Sequence, residues 1–331
     1  MKKKDIKFID LFAGIGGTRI AFERAGARCV FSSEWDKHSQ ATYNAFFGEM
    51  PHGDIADPAI KKAIPGFNIL VAGFPCQPFS SIGKRQGFSH TTQGTLFHHI
   101  VEILKKKKPD ALLLENVKGL RTHDGGNTYR VVVASLRDAG YWINDTLLNA
   151  SAYGVPQKRE RTYIVGFRKT LVPAMTEQDA FQKIGFSFSN LKKNGPVYLD
   201  EHIETGVNDR PITKHLQKVY INKLNDGRPQ ILVPGAKGQI SNTLVSSYHK
   251  IQRLTGIFVS DGPTGLRLLS ENECRAIMGF PKVGDIHNGR VLGPVPVSRS
   301  QMYRQFGNSV AVPVVELIAK RMVKCLHPII S

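Results

Sequence analysis

Six short apolar runs separated by amphipathic stretches occupy the first half of the chain, and this alternation constrains the fold more than any other feature. The runs cover residues 6–12, 28–33, 69–73, 111–115, 141–148 and 162–167. Runs of this length bounded by Gly, Pro and polar residues read as strands. The helical periodicity between them makes them strands of a parallel sheet assembled from βαβ units. Residues 94–108 predict a helix, with Leu96, Phe97, Ile100, Val101 and Leu104 on one face and Pro109 as the stop. Residues 127–139 predict a second, closed by Gly140. After Arg168 the alternation ends and scattered Gly, Pro and Asn suggest loops and short strands. A regular pattern returns at 270–279 and in a last helix over 312–325. The expectation is an α/β protein with a mostly parallel sheet and a second, smaller, irregular β-rich domain. The first domain spans 1–185 and is completed by 306–331; the second, with its hinge, spans 186–305.

The formal net charge of +18 on 331 residues, divided between both halves, points to an anionic partner. Nucleic acid is the natural one, through phosphate neutralisation and counterion release. From Arg228 to Ser260 there are four Lys or Arg and no acidic residue, so this stretch can lie against a polyanion. The four cysteines, Cys29, Cys76, Cys274 and Cys325, form no Cys-x-x-Cys pair, which suggests neither a zinc site nor a disulfide framework. No metal is expected, no run reaches spanning length, and a reducing cytoplasm fits.

Two of the apolar runs end in reactive groups. Phe74-Pro75-Cys76-Gln77 follows the third run, and Glu115-Asn116-Val117 ends the fourth. A lone Cys is most often a small buried hydrophobe, but Pro75 and Pro78 force the chain out of its strand at Cys76 and forbid a helix there. In an open parallel sheet the carboxyl ends of the strands form the ligand crevice. A thiol and a carboxyl there can attack a pyrimidine: the thiolate adds to carbon 6 while the acid holds nitrogen 3, and carbon 5 becomes nucleophilic. Phe12-Ala13-Gly14-Ile15-Gly16-Gly17 forms a Gly-rich turn after the first run. It would suit a dinucleotide, except that Arg19 occupies the last position of that fingerprint. Glu34 ends the second run, where an acidic side chain accepts from ribose hydroxyls, and Trp35 offers a flat face for a purine. Asp54-Ile55 suit an adenine amino group.

With these residues in order, followed by Gly94-Thr95-Leu96-Phe97, Gln157-Lys158-Arg159-Glu160-Arg161, the stretch 267–281 and Gln305-Phe306-Gly307-Asn308-Ser309-Val310, the chain resembles the cytosine carbon-5 DNA methyltransferases that accompany bacterial restriction systems. The resemblance covers almost everything outside 170–240. It implies the Rossmann-like S-adenosylmethionine-dependent methyltransferase fold, with the second domain reading the DNA target. It implies S-adenosylmethionine as methyl donor and S-adenosylhomocysteine as product, held by Phe12, Ala13, Gly14, Gly16, Gly17, Glu34, Trp35, Asp54, Ile55, Pro75, Leu96, Asn308 and Ser309. Cys76 becomes the nucleophile, Glu115 the group on the cytosine's nitrogen 3 and amine, and Arg159 and Arg161 contacts to its O2 and to active-site acids. Read without the resemblance, the Gln-x-Arg-x-Arg run is a basic loop and Asn308 a helix N-cap.

The target carbon is unreachable in a stacked duplex, so base flipping is implied. Double-stranded DNA is the expected partner, contacted by Ser80, Ser81, Lys84 and Arg85 on a mobile lid and by Gln157, Lys237, Thr243 and Leu244. A cognate restriction endonuclease is the functional companion, and a monomer is expected. The lid departs from the family pattern at Ser89-His90-Thr91-Thr92-Gln93, where an acidic residue and an Arg are usual. Transfer RNA methylation and a catalytically dead DNA-binding module are the competing readings.

Overall fold

Period-two alternation in the apolar runs builds the centre of the molecule, a computed structural model that describes residues 5–75, 96–200, 202–221 and 227–330. The strands are β1 (Lys7–Leu11), β2 (Arg28–Ser33), β3 (Ile69–Gly73), β4 (Ala111–Val117), β5 (Tyr141–Asn149) and β6 (Glu160–Arg168). They form one sheet in the order β2-β1-β3-β4-β6-β5. Successive side chains point to opposite faces. Phe8, Ile69, Val71, Ala111 and Leu113 therefore join one core layer, and Ile9, Leu70, Ala72, Leu112 and Leu114 the other. The first layer is closed by α1 (Gly17–Arg24) and the C-terminal helix, the second by α4 (Leu96–Lys107) and α5 (Asn127–Asp138). Apolar burial on both faces explains why these strands read as near-continuous hydrophobic runs.

The sheet is parallel except for β6, which runs antiparallel to both β4 and β5. Residues 150–159 are too few for a crossover helix, so the chain turns back directly. Three helices within residues 1–185 were not marked by the apolar runs. The first two are α2 (Lys37–Phe47), where Asp36 accepts from the Ser39 amide, and α3 (Pro58–Ala63), capped by Asp57. The third is α6 (Glu177–Ile184), bracketed by Thr176 and a left-handed Gly185. Their caps were the available signal.

The second region holds α7 (Lys214–Leu216) and the two-stranded pairs β7 (Gln230–Leu232) with β8 (Ile257–Val259) and β9 (Ile286–His287) with β10 (Arg290–Val291). Between the pairs lies α8 (Glu271–Met278), started by a capping box of Ser270 and Glu273. Helix α9 (Arg299–Asn308) corrects the reading of Asn308 as an N-cap: Asn308 is the last helical residue and Ser309 the C-cap. Helix α10 (Val312–Ile330) follows after Ser309, Val310 and Ala311 and runs past the predicted end at 325. Its Val315, Ile318, Ala319 and Met322 pack into the same layer as Ile20 and Phe22 of α1. Among the described residues no helix is long and apolar enough to cross a membrane.

Candidate active site

Sheet register brings the carboxyl ends of β3 and β4 together. Gly73 stands opposite Glu115, and one residue on, the Asn116 side-chain amide donates to the Phe74 carbonyl at 2.9 Å. Asn116 is buried, so this bond holds the exit of β3 against the end of β4. On the other side, β6 places Arg161 opposite Val117. Its Nε lies 3.2 Å from Glu115 Oε1. Burial pushes the Glu115 carboxyl above the usual carboxylate range, opposed by the Arg161 and Arg159 cations.

The turn after β1 adopts left-handed backbone at Phe12, Gly14 and Gly16. A side chain on Gly16 would meet the Phe47 ring at 2.2 Å in a conformation that already disfavours one. This geometry aims the Gly14 amide at Glu34 Oε2, 2.8 Å away, while the Asp36 amide reaches Oε1 at 2.8 Å. Glu34 is thus held by two backbone donors, and its neighbour Trp35 is 64% exposed. Burial pushes the Glu34 carboxyl up, against the pull of these amides.

Both constellations open into one cavity of about 480 Å³, within the usual size range of small-molecule sites. Its wall includes Phe12, Ala13, Gly14, Gly17, Glu34, Trp35, Pro75, Leu96, Asn308 and Ser309 as well as Glu115, Arg159 and Arg161. Among the described residues no cluster of His, Cys, Asp and Glu is arranged to hold a metal ion.

The sequence profile of the C-5 cytosine-specific DNA methylases matches residues 6–324. The chain belongs to the C-5 cytosine-specific DNA methylase family. Type II methyltransferase M.MspI of Moraxella sp. is 50% identical over 321 residues, covering 96% of this chain and 70% of that one. M.BsuFI of Bacillus subtilis is 50% identical over 96% of this chain and 72% of its own length. M.HhaI of Haemophilus parahaemolyticus is 39% identical over 95% and 93%. The fold is shared with the crystal structure of a Spodoptera frugiperda DNMT2 mutant, at a TM-score of 0.72 and 22% identity over 96% of this chain and 99% of that one. The methylase is a DNA cytosine-5-methyltransferase of the type II restriction-modification kind.

Several expected site residues stand elsewhere in the methylase. Gln157 is fully buried, donating to the Ile277 carbonyl at 2.6 Å and accepting from the Leu244 amide at 3.0 Å. Leu244 is itself fully buried in the core. Neither side chain presents itself to DNA in this structure; they join the two regions. Arg159 lines the cavity with Glu115 and Arg161 and also anchors backbone around it. Its guanidinium donates to the carbonyls of Leu244 at 3.1 Å, Gly307 at 3.1 Å and Ser309 at 2.6 Å. A planar fork of donors suits such multiple carbonyls, and burial beside the Arg161 cation pulls its pKa below the usual range.

Gly16 lies against the Phe47 ring and is not in the cavity wall. Asp54 is exposed and bonds the Ala56 amide, while Ile55 is buried in the second core layer; neither lines the cavity. Lys237 is exposed, and the Thr243 hydroxyl donates to the Lys158 carbonyl. Cys76, Ser80, Ser81, Lys84, Arg85 and the 89–93 segment lie outside the described residues. The cavity wall also includes Thr18, Ser39, Gln301, Arg304 and Gln305. Gln305 opens the Gln305–Val310 motif but carried no assigned role, and no local pattern singled out the other four, because they face the site only once α1, α2 and α9 are packed.

Proposed function

We propose that the methylase transfers a methyl group from S-adenosylmethionine to carbon 5 of a cytosine flipped out of a specific short duplex sequence, and that it protects host DNA against a cognate endonuclease. The observation that carries this reading is the shared cavity: the Glu115–Arg161 pair and the Glu34–Trp35 corner line one cleft. The described residues fit the donor. Glu34, with each oxygen already oriented by a backbone amide, retains lone pairs for two ribose hydroxyls. Trp35 and Phe12 offer apolar faces to a purine. S-adenosylmethionine, when bound, supplies the methyl group as an electrophile.

The remaining chemistry belongs to the protein and the flipped base. Arg161 fixes the Glu115 rotamer and brings further N–H donors to the cytosine O2. Glu115, its pKa raised by burial, delivers a proton to nitrogen 3 more readily than an exposed carboxylate would. The Cys76 thiol gives its proton to solvent and its sulfur forms a bond to carbon 6, while nitrogen 3 takes the Glu115 proton and the ring electron pair becomes available at carbon 5. After methylation a solvent base takes the carbon 5 proton, the pair left behind re-forms the carbon 5–carbon 6 double bond, the sulfur leaves carbon 6 as thiolate, and the nitrogen 3 proton returns to Glu115. Lys84 and Arg85 serve as phosphate contacts, and Lys237 and Thr243 as contacts from the target-reading region 186–305.

Incubation with tritiated S-adenosylmethionine and mixed-sequence duplexes is expected to label 5-methylcytosine. DNA containing 5-fluorocytosine should form a stable adduct that Cys76→Ala abolishes. No label in any duplex overturns the reading, and label in transfer RNA alone transfers it to RNA. Bisulfite mapping of host DNA then reads out the recognised sequence.

A further inference from the structure

A loop of the second region, residues 247–255, is rooted against the wall of the cavity. Gly307 lines the cavity, and a Cβ on it would meet the Val245 carbonyl carbon and the Ser246 nitrogen, each at 2.4 Å. The Tyr248 ring meets the Tyr303 ring of α9 edge-on, with centroids 4.9 Å apart, and its hydroxyl accepts from the Leu269 amide at 3.0 Å. On the other side, the Thr243 hydroxyl donates to the carbonyl of Lys158, the residue before Arg159.

Ile251 then turns the chain. Its φ of 50° is left-handed, a conformation that β-branched residues avoid, and its side chain packs against the apolar cluster of Ile212, Ile221 and Phe258. Strain of this kind persists only where the surrounding structure imposes it, and it gathers at functional segments. The next residue, Gln252, is exposed, as is Lys250 before the turn. No acidic residue occurs from 228 to 260, so the chain here offers no negative charge to a phosphate backbone. Gln252 stands six residues after Ser246, a reach of at most about 22 Å. Bases stack at about 3.4 Å along a strand, so this reach covers a short recognition sequence around the flipped cytosine.

The Gln252 amide is polarised by its neighbours. Its Oε1 accepts from the Thr255 hydroxyl at 3.2 Å and from the Ser247 hydroxyl at 3.4 Å. A carbonyl oxygen has two lone pairs, and both are engaged. The end of the side chain that a partner can use is therefore Nε2, with two N–H donors. In the major groove guanine presents two acceptors, N7 and O6, whereas adenine presents an acceptor beside a donor and cytosine a donor. A glutamine pairs with adenine by giving one N–H and taking another; with its oxygen engaged, Gln252 fits guanine instead.

We propose that Gln252 reads a guanine of the target sequence, donating from Nε2 to its N7 and O6 edge, and that Ser247 and Thr255 set this choice by holding Oε1. The proposal rests on the reading of 186–305 as the region that faces the DNA target.

The test is methylation of a duplex library randomised on both sides of a central cytosine and read by bisulfite sequencing. The full chain is compared with Gln252→Glu and with Ser247→Ala combined with Thr255→Ala. Gln252→Glu keeps an oxygen for both hydroxyls but presents an acceptor where the amide presented donors. Wild type should require guanine at one position where this variant changes the preference. Sites carrying that guanine are expected to slow about tenfold to a hundredfold in the variant, and cytosine, with its N4 donor, should gain at that position alone. The double substitution releases Oε1 and should admit adenine beside guanine at the same position. A shift confined to one position also reports that the variant is folded. Unchanged preference in both variants overturns the proposal. So does slowing that is equal on every sequence, which would make Gln252 a phosphate contact or a strut of the loop. If wild type methylates the library without base preference, the reading of 186–305 fails, and if it methylates no member, the reading of the reaction fails; both results are distinct from a change in the variants.

Discussion

The Asn116 amide and the Phe74 carbonyl, 2.9 Å apart, tie the ends of two neighbouring strands. Both residues line the cavity, and the bond fixes the backbone two residues before Cys76 relative to Glu115. In Asn116→Ala the buried Phe74 carbonyl loses this donor, an expected cost of about 1–3 kcal/mol. Single-turnover methylation should slow more than donor affinity falls, because the change disturbs the alignment of the proposed nucleophile, Cys76, with Glu115. Rates equal to wild type in a folded variant would show that the strand ends hold each other without the bond.

Arg159 carries its charge into the interior and distributes it over three carbonyls from two parts of the chain. Arg159→Met leaves these acceptors unpaired, so a loss of about 3 kcal/mol or more is expected. Arg159→Lys keeps the charge and reaches fewer acceptors, and should recover only part of the stability. Urea denaturation measures both; full recovery by Lys would reduce the role of Arg159 to its charge.

Gly307 is enclosed by backbone. A Cβ there would sit 2.4 Å from the Ser246 nitrogen and 2.4 Å from the Val245 carbonyl carbon. Main chain cannot swing aside as a side chain does, so Gly307→Ala is expected to destabilise by about 1–3 kcal/mol. Separating the 245–246 segment from α9 should also disturb Asn308. Thermal unfolding checks the first effect and donor titration the second; a variant matching wild type in both refutes the close approach.

Asp10, on β1 under α1, has no exposed surface. Burial pushes its carboxyl up to about 8, with Glu34 and Glu23 adding to the rise and Arg19 opposing it. Below the ordinary value of 3.8 the group is protonated in both folded and unfolded chains, and its contribution to stability is complete. As pH rises towards about 8 the unfolded chain ionises first, so the folded state loses up to about 1.4 kcal/mol per pH unit from this group. Above that the loss levels off. Asp10→Asn should therefore gain stability relative to wild type across pH 5 to 8, measured by urea unfolding at a series of pH values. A difference independent of pH would mean that Asp10 ionises normally.

The six strands and the Gly-rich turn were legible because each depends on near neighbours. Alternating side chains, a left-handed turn that excludes Cβ at Gly16, and a proline at 75 act within a few residues. The reversal of β6 was less visible, since it depends on the short connection 150–159 and on which edge of the sheet is free. Gln157 and Arg159 look, in one dimension, like a polar basic loop suited to phosphates. Only the packed chain brings Leu244, Ile277, Gly307 and Ser309 around them, carbonyls and an amide more than eighty residues away. Hydrogen-bond partners buried by the meeting of two regions leave no periodicity in either one. Residue types and order therefore disclosed the family and its fold, whereas three-dimensional packing decided which polar side chains face the cavity, which hold the molecule together and, at Arg159, which do both.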